Sequence, residues 1–127
     1  MLLVEQAEVE PDGSASGCYT VKGDEWFLQG HYPGNPVVPG VVLCEMMAQT
    51  CCVLLGSKAG DEAVTPYFTG LDKVKFRRPV RPGETLHTHC AITRTKGPFY
   101  FAEGTGRVEG ELAVSASFSF ALVPNKQ

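Results

Sequence analysis

The sequence predicts an α+β domain in which a curved antiparallel sheet wraps around one long, buried helix. Two observations carry the prediction. The stretch Val41 to Leu55 contains neither Gly nor Pro, and its apolar residues go nearly all the way round a helix rather than keeping to one stripe. The second half of the chain, by contrast, is dense in β-branched and aromatic residues between short Gly- and Pro-containing joints.

Taken in order, residues Leu2 to Val9 and Cys18 to Lys22 flank a turn at Pro11-Asp12-Gly13 and predict a strand pair. A loop follows that is stiffened by Gly30, Pro33, Gly34, Pro36, Pro39 and Gly40, so its side chains are fixed at modest entropic cost. The helix then runs from Val41 to Leu55, with Gly56 as its expected stop. Glu45, Gln49 and Thr50 are its polar interruptions. Strands are expected over Tyr67 to Val80, Thr85 to Thr95, Phe99 to Val108 and Leu112 to Val123. The joints Lys96-Gly97-Pro98 and Glu109-Gly110 are short enough for hairpins and imply an antiparallel meander. In the last strand Ala113, Ser115, Ser117 and Ser119 alternate with Val114, Ala116, Phe118 and Phe120, as in a sheet packed on one side.

The 127 residues make one domain, read as spanning 1–127, with no repeat and no low-complexity stretch. A net charge of -3 argues against general attraction to nucleic acid or anionic membrane. No stretch approaches the ~20 apolar residues that cross a bilayer, and Glu5 comes too early for a signal peptide. The cysteines at 18, 44, 51, 52 and 90 are odd in number and lack CxxC spacing, which suggests reduced, buried thiols in a cytoplasmic protein. Cys44 and Cys51 sit among Val, Leu and Met and are read as core rather than as metal ligands.

Glu45 is the sole charged residue between Gly40 and Lys58. A carboxylate in so apolar a helix is costly unless paired or neutralised, and burial would favour its protonated form, which suits a general acid. The competing reading is a structural carboxylate held across an interface. A lone loop histidine such as His31 is usually a solvated bystander. Here, however, a stiff loop delivers it close to the start of the helix that carries the acid. Gly40 stands at the first turn, where a free backbone N–H and the helix dipole could hold a carbonyl oxygen that gains charge.

Other candidates are weaker. His87 and His89 face one side of a strand without a third ligand at metal-site spacing. Ser115, Ser117 and Ser119 lie in no nucleophile elbow and are read as a solvated strand face. Lys73, Lys75, Arg77, Arg78 and Arg81 make a basic run. Three of them, Lys73, Lys75 and Arg77, alternate onto one expected strand face and could dock an anionic carrier.

Two blocks resemble a known family. The stretch Gly30-His31-Tyr32-Pro33-Gly34-Asn35-Pro36-Val37-Val38-Pro39-Gly40-Val41, continuing to Glu45-Met46-Met47-Ala48-Gln49, is similar to the FabZ-type 3-hydroxyacyl-[acyl-carrier-protein] dehydratases. So is Phe68-Thr69-Gly70-Leu71-Asp72-Lys73-Val74-Lys75-Phe76-Arg77-Arg78-Pro79-Val80 with Pro82-Gly83-Glu84. The resemblance runs from about Leu3 to the final strand. It implies the hotdog fold, a dimer joined edge to edge, and often a hexamer of three dimers.

It further implies that His31 of one chain and Glu45 of the other form the catalytic pair. Gly40 would polarise the thioester carbonyl, Gln49 would support the site, and no metal or redox cofactor would be needed. The partner would be an acyl carrier protein bearing a 3-hydroxyacyl phosphopantetheine, serving fatty acid biosynthesis. An apolar tunnel between the chains would hold the acyl tail. Bifunctional dehydratase-isomerase relatives carry aspartate where this chain has Glu45, so glutamate points to dehydration alone. Typical members carry a further segment, with a short helix and an arginine, ahead of the strand that begins here at Leu2.

The rivals within the superfamily are CoA-ester hydratases and acyl thioesterases. The former usually place Asp and His five apart in one loop, which this chain lacks. The latter usually lack a His-Tyr-Pro-Gly loop. A non-catalytic acyl-thioester-binding module would be expected to lack His31 or Glu45.

Overall fold

The computed structural model of the chain describes residues 6–25, 37–59 and 64–124. The first hairpin is shaped by Asp12, whose carboxylate accepts bonds from the Ser14 amide at 3.0 Å and the Ser14 hydroxyl at 2.6 Å. Gly13 takes a left-handed φ of 89° at the turn, where a side chain would be strained. The turn therefore closes early, and the hairpin pairs β1 (Gln6–Val9) with β2 (Ala15–Thr20) from Val9 opposite Ala15 onward. The expected second strand, Cys18 to Lys22, started late because Ala15, Ser16 and Gly17 have little strand preference of their own. They are extended because they pair with β4.

The helix α1 (Gly40–Ala59) is longer than expected and runs through Gly56. A mid-helix glycine costs only about 1 kcal/mol, and Ser57, Lys58 and Ala59 continue the helix without another breaker. Strand β3 (Val64–Phe76) begins and ends earlier than Tyr67 to Val80. Arg77 and Arg78 leave the ladder and donate to the Ala113 carbonyl, and Pro79 bars continuation. β4 (Thr85–Lys96), β5 (Phe99–Val108) and β6 (Glu111–Pro124) lie within a residue or so of expectation. The β5–β6 turn has φ of 51° at Glu109 and 80° at Gly110, the double positive φ of a type I′ hairpin.

The strands form one antiparallel sheet in the order β1-β2-β4-β5-β6-β3. The expected meander is β4-β5-β6, and β3 adds beyond β6 as an edge. Pro66, which cannot donate to a ladder, falls on that edge. The helix packs on the concave face. Met46, Met47 and Cys51 are fully buried against Leu86, Cys90, Ala102, Val114 and Phe118. Glycines let the helix come close: a Cβ on Gly104 would stand 2.9 Å from Phe118 and 3.4 Å from Met47. Thr50 ties helix to sheet, sharing a 2.6 Å hydrogen bond with Thr88 and donating to the Met46 carbonyl.

All five cysteines are free. Cys44, Cys51 and Cys90 are buried as expected, but Cys18 is half-buried and Cys52 exposed. Cys51 and Cys90 meet across the helix–sheet contact. The hydrogen bond to Cys51, then burial, push the Cys90 thiol up.

One polar cluster secures the segment between β3 and β4. Arg78 pairs with Glu84, reaches Glu111 at 3.6 Å and donates to the Pro79 carbonyl. Partial burial works to raise the Glu84 carboxyl. It is outweighed by the Arg81 amide and the Arg78 and Arg81 charges, which together hold it below the ordinary value of 4.5. A depressed carboxyl contributes stability above that ordinary value and loses it as pH falls through the folded pKa. The Tm of Glu84→Gln is therefore expected to fall below wild type at neutral pH and to converge with it below about pH 4. Parallel melting curves across pH check this, and a gap that stays constant into acid would contradict it.

Candidate active site

The site grows from the start of α1. Val38 donates to the Val80 carbonyl at 2.8 Å, which anchors the entry segment to the chain beyond β3. The Pro39 carbonyl then accepts from Val42 at 3.0 Å and Leu43 at 3.2 Å, opening the first turn. The amides of Gly40 and Val41 precede those donors and have no backbone partner among the described residues. With the helix dipole behind them, they can stabilise a nearby oxygen that gains negative charge. They adjoin a hollow of about 320 Å³ lined by Val37, Pro39, Gly40, Val41, Phe76 and Pro79, among others.

Gly40 is there for a reason the sequence did not show. A Cβ at that position would lie 2.6 Å from the Phe76 ring, so a side chain there would push the ring aside. Close approach at Gly40 was expected from a ligand. In the fold, an aromatic ring from β3 makes it.

Glu45 lies on the next turn, five residues on. It was expected to be buried, and it is exposed. The helix is apolar nearly all round, but the described sheet covers only part of its surface. Val41, at 75% exposure, shares an uncovered stripe with Glu45 and Cys52, with Gln49 half-buried beside them. Gln49 donates to the Glu45 carboxylate at 3.2 Å, so the amide one turn further on orients the acid. Cys52 follows on the same stripe. Burial, then Cys51 and Glu45, push its thiol up.

β3 continues the uncovered surface. Its register with β6 slips between Phe68 and Gly70 and again between Asp72 and Lys75. The two slips place Phe68, Leu71 and Phe76 opposite Phe120, Phe118 and Val114, all on the helix side. Phe68 packs on Phe118 and Phe120 with ring centroids 5.7 and 5.4 Å apart, yet stays substantially exposed, as do Leu71 and Phe76. Val41 on α1 and Phe68, Leu71 and Phe76 on β3 thus leave apolar surface exposed on the helix side.

The other candidates fall as follows. His31 lies outside the described residues. His87 and His89 are exposed on β4, and the described residues hold no cluster of metal-ligating side chains. Ser115, Ser117 and Ser119 are half-buried on the face away from the helix. The expected alternation of Lys73, Lys75 and Arg77 does not hold. Lys73 sits in the second slip with φ of 53°, and Arg77 is beyond the strand end. Arg78 is already paired within the fold, which leaves Lys73, Lys75, Arg77 and Arg81 as the exposed cations of the run. A larger hollow of about 520 Å³ is lined by β1, β2 and β4, with Cys18 and His87 among its residues; it includes no residue of α1.

Sequence reasoning missed Phe76, Val41 and Cys52 as parts of this surface. The signal was present: an all-round apolar helix whose sheet cannot cover every side requires a further cover.

The family of the FabA-like domain matches residues 1–117. The chain belongs to that family. Among its curated relatives, 3-hydroxyacyl-[acyl-carrier-protein] dehydratase FabZ of Caldicellulosiruptor saccharolyticus is 42% identical over 122 residues, spanning 95% of this chain and 87% of the relative. The enzyme of the same name from Natranaerobius thermophilus is 42% identical, spanning 97% and 87%. Within the family, then, the chain groups with the FabZ-type dehydratases.

Solved structures agree on the hotdog fold. The dehydratase heterocomplex ApeI:P from Xenorhabdus doucetiae superposes with a TM-score of 0.72 at 19% identity, over 93% of this chain and 96% of that one. A putative thioesterase from Ralstonia eutropha gives 0.70 at 21% identity, over 85% and 75%. No helix among the described residues is long and apolar enough to cross a membrane.

Proposed function

We propose that this chain dehydrates (3R)-3-hydroxyacyl-[acyl-carrier-protein] to the trans-2-enoyl thioester in fatty acid biosynthesis. The observation that carries the reading is the placement of Glu45. It is an acid held by Gln49 on a largely apolar helix, one turn beyond the Gly40 and Val41 amides, which have no backbone partner among the described residues. In the proposed reaction His31 takes a proton from C2, and the charge that builds on the thioester oxygen is held at Gly40. The electron pair forms the C2–C3 double bond. The C3 hydroxyl then leaves as water with a proton from Glu45. Every atom is accounted for without a redox partner or a metal.

The working unit is a homodimer, with further assembly into three dimers, and His31 of one chain faces Glu45 of the other. Exposed Val41, Phe68, Leu71 and Phe76 support a second copy as cover, since so much apolar surface on one face is unusual on a monomer. The carrier protein docks through Lys73, Lys75 and Arg77, beside Phe76 at the end of β3, and the protein works in the cytoplasm.

The test follows enoyl-thioester absorbance with 3-hydroxyacyl substrates on carrier protein and on CoA. Enoyl product formed faster from the carrier-protein substrate is expected. Free acid and thiol in its place would make the protein a thioesterase, and inertness toward both would make it a binding module.

A further inference from the structure

We infer that Phe76 is a positioning residue for the dehydration, its ring keeping water from the amides at the start of α1 that hold the thioester oxygen. The inference rests on the proposed dehydratase reading and adds a residue to it.

The ring and the amides share one place. A Cβ on Gly40 would meet Cζ, Cε1 and Cε2 of Phe76 at 2.6, 2.8 and 3.2 Å, so the tip of the ring stands against the bare Cα. Gly40, Val41 and Phe76 line the same hollow of about 320 Å³. The backbone holds this meeting on both sides. Just after Phe76, the Arg77 amide donates to the Ala113 carbonyl at 2.7 Å. Just before Gly40, the Val38 amide donates to the Val80 carbonyl at 2.8 Å.

Two plainer reasons for the pair do not suffice. Phe76 is 56% exposed, so filling the core does not account for an aromatic residue there. Gly40 is not among the glycines with positive φ, so its backbone is open to alanine as well. The three nearest atoms that a side chain at 40 would meet all belong to the ring.

The chemistry gives the contact a use. The oxygen of a bound thioester gains charge as C2 loses its proton. Water beside the Gly40 and Val41 amides would compete for them and screen that charge. An apolar ring tip takes the place of such water and offers the amides no acceptor of its own. The benefit grows with the charge, so it falls on kcat rather than on KM.

The experiment measures kcat and KM on one 3-hydroxyacyl-carrier-protein substrate, with melting curves alongside. It uses the full-length protein, Phe76→Ala, Phe76→Leu, Gly40→Ala and the double variant Gly40→Ala/Phe76→Ala. Phe76→Ala is expected to lower kcat about tenfold, less than the loss typical of removing a donor itself, with KM nearly unchanged. Phe76→Leu keeps an apolar cover and should retain most of the rate. Gly40→Ala keeps its amide but pushes the ring aside, so it should lose rate as Phe76→Ala does. The double variant should lose no more than the larger single loss, because the ring can be displaced only once.

Losses that multiply in the double variant overturn the inference, as does a rise in KM in place of the fall in kcat. Phe76→Leu as slow as Phe76→Ala would do the same. Should Phe76→Ala fail to fold, Gly40→Ala still decides, since wild-type kcat in that variant overturns the inference. Each of these outcomes leaves the dehydratase reading standing. A wild type that forms no enoyl product defeats that reading instead.

Discussion

Glu45→Gln is expected to lower kcat by about a hundredfold to ten-thousandfold, the range typical for loss of a positioned general acid. The amide keeps the size and the polar contact to Gln49 but has no proton of suitable acidity to give the leaving hydroxyl. Glu45 is exposed in the chain, so its replacement leaves the core untouched. The melting temperature and circular dichroism should match wild type. Steady-state dehydration of a 3-hydroxyacyl thioester measures the loss. Retention of more than about a tenth of the rate would remove Glu45 from the acid role, since acid catalysis contributes at least that much. His31→Ala should produce a loss of similar size. The double variant should lose far less than the product of the two, because a base and an acid acting in one elimination are not independent.

Met47→Ala is expected to have the largest effect on stability, about 2–5 kcal/mol. Met47 is fully buried, and one side of it faces Gly104, which has no side chain that could relax into the space. The cavity therefore stays open, which places the cost toward the upper part of that range. Urea unfolding gives the number, and the midpoint should shift with the slope unchanged. Gly104→Ala alone should also destabilise, through contact with Phe118 and Met47. Combined, the two changes should cost less than their sum, because the new methyl enters space the methionine has left. Strict additivity would mean that Met47 does not fill the gap over Gly104.

Much of the architecture was legible in the sequence because it depends on local chemistry. The β5–β6 hairpin needs two residues with positive φ, and Glu109-Gly110 announces them. The helix was visible in a run without breakers, although Gly56 misled as a stop. Other features depend on partners far away in the chain. Ser16 and Gly17 are extended because β4 lies beside them, and Lys73 breaks the alternation because β3 slips against β6. Glu45 was singled out by its isolation in an apolar helix. Its burial was misjudged because an apolar helix face signals a cover without saying whether the same chain supplies it. His31 was singled out by its loop, and its pairing with Glu45 is what the resemblance of the two long motifs implies.

The slips in β3 carry a last consequence. From Phe68 to Phe76 the strand takes eight steps while β6, from Phe120 to Val114, takes six. The outer strand is thus about 6 Å longer over the same span, like the outside lane of a bend. A strand carrying surplus length cannot lie straight, so this edge bows. A straight foreign strand can hydrogen-bond with it only over a few residues, which protects an apolar edge from promiscuous pairing.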